Sequence, residues 1–121
     1  MQVALKEGFP VRDRTFVGNY RYYSFSLASK EDIEQIDFFL TIMTGDVILI
    51  WSKTEKYPTY EDIDKQKAFT NETDSIILDK ENIYEGIYYL SVYAFEVSEY
   101  TIGLAIERSE GRAIKITELK L

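Results

Sequence analysis

The sequence predicts an all-β protein, a single antiparallel β-sandwich or jelly-roll-like domain of seven to eight strands. Three observations carry that expectation. Apolar residues recur with period two, the spacing of a half-buried strand, while helical periodicity is nearly absent. Turn residues break the runs at short intervals. The length of 121 residues suits one domain, spanning 1–121, that buries about two-thirds of its unfolded surface. Its 45% apolar and 29% charged residues are a globular balance.

In chain order, Tyr23, Phe25 and Leu27 alternate with Tyr22, Ser24 and Ser26, which predicts a strand with the first set inward. From Ile36 to Thr44 the pattern repeats: Ile36, Phe38, Leu40 and Ile42 share one side, and Asp37, Phe39, Thr41 and Met43 the other. Gly45-Asp46 interrupts it as a tight turn does. Val47-Ile48-Leu49-Ile50-Trp51 follows as a continuous apolar run suited to an interior strand, with Trp51 in the core beside Val47 and Leu49. Ser52 to Phe69 reads as an irregular surface excursion containing a short helix that starts near Thr59, with Asp62 in its first turn. Ser75 to Leu78 is a short strand, and Asp79 to Glu85 a polar connection ended by Gly86. Tyr88, Leu90, Val92 and Ala94 line one face of the next strand, and Tyr100, Ile102, Leu104 and Ile106 one face of the following one, an expected hairpin. Ser109-Glu110-Gly111 leads into a last short strand, Ala113 to Thr117.

Composition narrows function. A net charge of -7 argues against nucleic acid and anionic membranes as partners, since both are bound through basic footprints. The chain has neither His nor Cys, which excludes imidazole acid-base catalysis, Cys-His and Ser-His-Asp nucleophiles, structural zinc and disulfides. Carboxylate chemistry survives that filter, yet no acid pair is singled out by position among 21 candidates. The expectation is therefore no enzymatic activity and no cofactor. No stretch approaches the roughly 18 apolar residues of a membrane span, and Met1 to Lys6 lacks the pattern of a leader.

Four segments in order resemble a known family. They are Tyr22-Tyr23-Ser24-Phe25, then Gly45-Asp46-Val47-Ile48-Leu49-Ile50-Trp51-Ser52 with Pro58 downstream, then Gly86-Ile87-Tyr88-Tyr89-Leu90-Ser91-Val92-Tyr93, and finally Ser98-Glu99-Tyr100-Thr101-Ile102. The order is similar to that of the bacterial pre-peptidase C-terminal domain, over about Ala4 to Ile106; Ala113 to Leu121 lie beyond it, as an extra strand or a lead into a neighbouring module. The resemblance implies a non-catalytic sandwich module of a larger secreted or cell-surface protein, serving protein adhesion, substrate targeting or assembly with other domains of its parent. Gly45, Asp46, Trp51, Gly86, Tyr88 and Tyr100 are then framework residues. Where the family carries a second acid after the turn this chain has Ile48, which removes a carboxylate pair at Asp46 and with it the family's calcium position.

Weak calcium sites remain conceivable at Glu61, Asp62 and Asp64, or at Glu72, Asp74 and Asp79, because flexible acidic loops offer the oxygens a hard cation needs. Solvated loops are the simpler account of both clusters. Asp46 is expected to cap its own turn. Asn71-Glu72-Thr73 fits the N-glycosylation pattern. The 10 Tyr, 7 Phe and one Trp exceed what one core layer holds, so some rings are expected outside it. With Tyr88, Leu90 and Val92 inward, Tyr89 and Tyr93 face outward on one strand, and Tyr22 and Phe39 are candidate companions for a binding face. Alternative readings are a carbohydrate-binding module using such an aromatic face, or an intracellular sandwich of the C2 type; the lack of clustered basic residues disfavours the latter.

Overall fold

The computed structural model describes residues 2–71 and 74–109. Among these residues nine strands form two sheets. The strands are β1 (Gln2–Ala4), β2 (Val11–Thr15), β3 (Tyr20–Leu27), β4 (Ile33–Thr44), β5 (Val47–Ser52), β6 (Phe69–Thr70), β7 (Ser75–Asp79), β8 (Gly86–Ala94) and β9 (Ser98–Arg108). One sheet has five strands in the order β1-β3-β8-β5-β6, the other four in the order β2-β9-β4-β7. The pairs are antiparallel except β1 with β3. The all-β sandwich read from the sequence is the fold.

Period-two alternation decides which residues form the core. Tyr23, Phe25 and Leu27 of β3, Leu49 of β5 and Tyr88, Leu90 and Val92 of β8 face Ile36, Phe38 and Leu40 of β4, Ile76 and Leu78 of β7 and Tyr100, Ile102 and Leu104 of β9, all of them buried. Register agrees with this, since Tyr23 lies opposite Leu90, and Phe38 opposite both Leu104 and Ile76. Each fully buried large apolar side chain contributes about 1.5 to 3 kcal/mol.

The expected β8–β9 hairpin does not form. The two strands belong to opposite sheets, and the connection at Phe95, Glu96 and Val97 carries the chain across the core. Alternation reports which face of a strand is buried and not which strand lies beside it, and both apolar faces are satisfied by meeting each other between the sheets. The Gly45-Asp46 turn likewise passes from β4 in one sheet to β5 in the other. These crossings meet at one end of the sandwich: Asp46 N–H donates to Ser98 Oγ at 2.9 Å, and Phe95 N–H to the Asp46 carbonyl at 2.8 Å. Asp46 thus joins the two turns through its backbone. Gly86 begins β8 opposite Leu27.

The excursion after β5 folds back over the outer face of the five-stranded sheet. Its helix α1 (Tyr60–Asp64) starts where expected, because the Asp62 carboxylate accepts from the Thr59 N–H at 2.8 Å and from the Thr59 hydroxyl at 3.2 Å. Ser91 Oγ donates to the Pro58 carbonyl at 2.7 Å and Ser52 Oγ to the Lys67 carbonyl at 2.5 Å, which fastens both limbs of the excursion. Pro58 and Ala68 are buried beneath it, and so is Ile50, which points away from the sandwich core. This covering explains the unbroken apolar run of β5: one face packs between the sheets and the other under the excursion. Trp51 does share the inward side with Leu49 but sits at the open margin of the core, partly buried, its ring 5.4 Å from Phe69. Trp51→Ala is expected to cost about 3 kcal/mol, the lower end for truncating a core aromatic, read as a shifted urea midpoint.

Inside the sandwich, a hydrogen-bonded chain ties the sheets together. The Tyr100 hydroxyl donates to the Tyr23 hydroxyl at 2.6 Å, and Tyr23 donates in turn to Asp13 Oδ2 at 2.6 Å. Both rings are fully buried, and burial pushes both phenols above their ordinary range. The expected last strand, Ala113 to Thr117, lies outside the described residues.

Candidate functional site

The outward residues of β3 and β8 build a cluster of aromatic rings. Tyr20 and Tyr22 stand two apart on β3 and stack at 5.9 Å with planes 7° apart. Tyr93 is the cross-strand partner of Tyr20, with ring centroids at 4.8 Å. The excursion adds two more rings. Tyr57 meets Tyr22 edge-on at 5.0 Å, and Tyr60 meets Tyr93 at 5.2 Å. Phe95, at the crossing after β8, closes the group 5.2 Å from Tyr93 and 5.9 Å from Tyr60. The Tyr60 N–H donates to the Tyr20 hydroxyl at 3.0 Å, which pins α1 to the sheet.

Six aromatic rings therefore form one contiguous surface from Tyr57 to Phe95. Tyr57, Tyr60 and Phe95 are 48%, 38% and 42% exposed, so the rings are available to a partner and not only to one another. Beside them a groove of about 380 Å³ is lined by Phe16, Asn19, Tyr20, Arg21 and Tyr22. Burial against neighbours raises the Tyr22 and Tyr60 phenols, and neighbouring phenols and carboxylates add to the effect. These hydroxyls stay protonated at neutral pH and can donate hydrogen bonds. The surface offers apolar area, ring faces and hydroxyls on stiff two-torsion side chains.

The four aromatics expected to share a face are distributed differently. Tyr22 and Tyr93 belong to the cluster. Tyr89 is on the same sheet face but separated from it, because Ser91 between Tyr89 and Tyr93 is buried under Pro58; the two tyrosines do not form a flat pair. Phe39 lies on the other sheet, where its ring covers Gly103 closely enough that a Cβ there would meet it at 2.8 Å. Sequence reasoning passed over Tyr20, Tyr57, Tyr60 and Phe95. Tyr20 continues the outward parity of Tyr22 and could have been found, whereas the other three are set by how the excursion and the crossing fold.

The acidic candidates do not converge. Asp62 caps α1, Glu61 and Asp64 are exposed on that helix, and Asp74 and Asp79 stand at opposite ends of the five-residue β7. Among the described residues no group of three acids is placed to hold a metal ion. Glu72 and Thr73 lie outside the described residues. A second cleft, of about 400 Å³, opens between the edges of the two sheets and is lined by Trp51, Phe69, Ile76, Leu78 and Asn82.

Together these features define a two-sheet β-sandwich with an aromatic patch on one sheet. Two solved structures share the fold. One is the pre-peptidase C-terminal domain of a collagenase from Bacillus anthracis, with TM-score 0.58 and 15% identity, over 87% of this chain and 95% of that one. The other is PliG of Aeromonas hydrophila, a periplasmic inhibitor of g-type lysozyme, with TM-score 0.63 and 8% identity, over 88% of this chain and 96% of that one. No family model and no curated protein matches the sequence. Among the described residues no helix is long and apolar enough to cross a membrane.

Proposed function

We propose that this chain is a non-catalytic binding module that works outside the cytoplasm, within a larger secreted or cell-surface protein, and holds a protein partner through the tyrosine cluster. The observation that carries the reading is the exposure of Tyr57, Tyr60 and Phe95 at the rim of a continuous ring surface whose inner members, Tyr20, Tyr22 and Tyr93, are held by the sheet. A few aromatic anchors usually carry most of an interface's energy. The absence of His and Cys from the sequence, and fold neighbours that are a domain of a collagenase and a lysozyme inhibitor, are in keeping with a module that binds rather than turns over.

The test uses collagen, g-type lysozyme and chitin oligosaccharides as probes, with binding read by calorimetry. Tyr57→Ser with Tyr60→Ser should leave the urea midpoint nearly unchanged, since both rings are on the surface, and reduce protein binding at least tenfold. Binding of the oligosaccharide alone would favour the carbohydrate-module reading. Retained protein binding in the double variant would remove the cluster from the proposal.

A further inference from the structure

The groove beside the tyrosine cluster differs in charge from the rest of the chain. Acidic residues outnumber basic ones by 21 to 14, yet no carboxylate lines this groove, which runs from the end of β2 to the start of β3. Its charged wall is Arg21. The Arg21 Nε donates to the Arg14 carbonyl at 3.0 Å, and the same nitrogen makes the closest approach to a carboxylate, Asp13 Oδ1 at 3.7 Å. The side chain is half exposed, and neither terminal nitrogen has a hydrogen-bond partner among the described residues. A guanidinium anchored in this way presents the planar fork that binds a carboxylate through two parallel hydrogen bonds. A second cation stands at the rim, where the Arg14 guanidinium lies over the Phe16 ring at 5.4 Å, with no carboxylate in contact among the described residues. The nearby acids are engaged within the fold: Asp13 accepts from the Tyr23 hydroxyl and the Arg14 N–H, and Asp62 accepts from Thr59.

We infer that this groove takes an acidic side chain of the protein partner, an Asp or Glu beside an apolar residue. The carboxylate sits in the Arg21 fork near Arg14, and the apolar neighbour lies against the rings of Phe16, Tyr20 and Tyr22. The inference rests on the reading of the tyrosine cluster as a protein-binding surface, because Tyr20 and Tyr22 belong to both. Charge complementarity fixes the occupant. A basic segment would meet two guanidiniums of its own sign, and a purely apolar one would bury Arg21 without a counter-charge, which costs more than the contact returns. The net charge of -7 does not oppose an acidic segment, since at physiological salt charges more than about 8 Å away are largely screened. A small inorganic anion could fill the fork but would leave the ring walls of the groove unused.

Calorimetric titration with two blocked tripeptides tests it, both N-acetylated and C-amidated: Phe-Glu-Phe, whose only charge is the glutamate, and its neutral counterpart Phe-Gln-Phe. The glutamate peptide should bind at least about tenfold more tightly, as a charge-assisted bidentate pair requires. Arg21→Gln should abolish that preference. Arg14→Gln, a surface change that keeps the native circular dichroism, should reduce it severalfold, so the test survives if the Arg21 variant folds poorly. The inference is overturned if neither peptide binds, if both bind alike, or if the preference persists in the Arg14 variant and in a folded Arg21 variant. Inorganic phosphate binding as tightly as the glutamate peptide would also overturn it, by showing a plain anion site. Tyr57 and Tyr60 do not line the groove, so the Tyr57→Ser and Tyr60→Ser result judges the cluster separately from the peptide preference.

Discussion

Raising the pH above 10 should unfold this protein. The Tyr23 and Tyr100 phenols are pushed up mainly by burial, with the Asp13 carboxylate adding to the effect on both. An unfolded tyrosine loses its proton near pH 10, whereas these two keep theirs in the fold. Below pH 10 both states are protonated and the stabilisation is fully present. Above it only the unfolded chain gains by ionising, so stability falls by about 1.4 kcal/mol per pH unit for each such phenol. Two of them remove roughly 5 to 6 kcal/mol by pH 12, comparable with the whole stability of a small domain. Circular dichroism and tyrosinate absorbance should therefore change together, with the buried phenols titrating only as the fold is lost. At neutral pH, Tyr23→Phe should cost about 1 to 3 kcal/mol, because it strands the Tyr100 hydroxyl and withdraws a donor from Asp13. A native spectrum that persists to pH 12 while all ten tyrosines titrate near pH 10 would contradict the buried pair.

The second large effect lies at Gly45. Its φ of +92° is a conformation that side chains avoid, and a Cβ there would fall onto Ser98 and the Val97 carbonyl. Gly45→Ala should cost about 1 to 2 kcal/mol for the backbone and a further 1 to 3 for pushing apart the two sheet-crossing turns. Gly18→Ala separates the terms, because Gly18 has φ +77° but open space where its Cβ would stand. The Gly18 variant should lose only the backbone part. Urea midpoints that fall equally in both would show that the Gly45 turn does not rest on Ser98.

What the sequence made legible was the facing of strands. Tyr23-Phe25-Leu27 and Ile36-Phe38-Leu40 could be placed inward without a structure, because one buried face imposes alternation wherever a strand packs. Partners were not legible, as the β8–β9 pair demonstrates: two strands bearing apolar faces on either side of a short connection read alike whether they lie side by side or face each other. The strands β1, β2 and β6 were missed because they are short or, like Val11-Arg12-Asp13-Arg14-Thr15, mostly charged, with only Thr15 buried. At the candidate site, Tyr22 and Tyr93 followed from parity, whereas the burial of Ser91 did not. A serine between two outward tyrosines reads as solvated until the Pro58 carbonyl is found upon it. Phe39 was assigned to the wrong sheet for the same reason that the hairpin was: parity carries no information on which layer a strand joins.

The order of strands also governs when the molecule can assemble. β9 holds the middle of its sheet, with β2 and β4 on either side, yet it is the last of the nine strands among the described residues. During synthesis β2 emerges without a neighbour and waits for some eighty residues until Ser98 to Ile102 arrive opposite it. The β3–β8 ladder closes a similarly long loop, from Tyr20–Leu27 to Gly86–Tyr93. Among the described strands the only consecutive pair that lies side by side is the two-residue β5–β6 contact, so each long ladder has much entropy to lose in closing. Both sheets therefore wait on the same late segment, and neither can close before β8 and β9 are present.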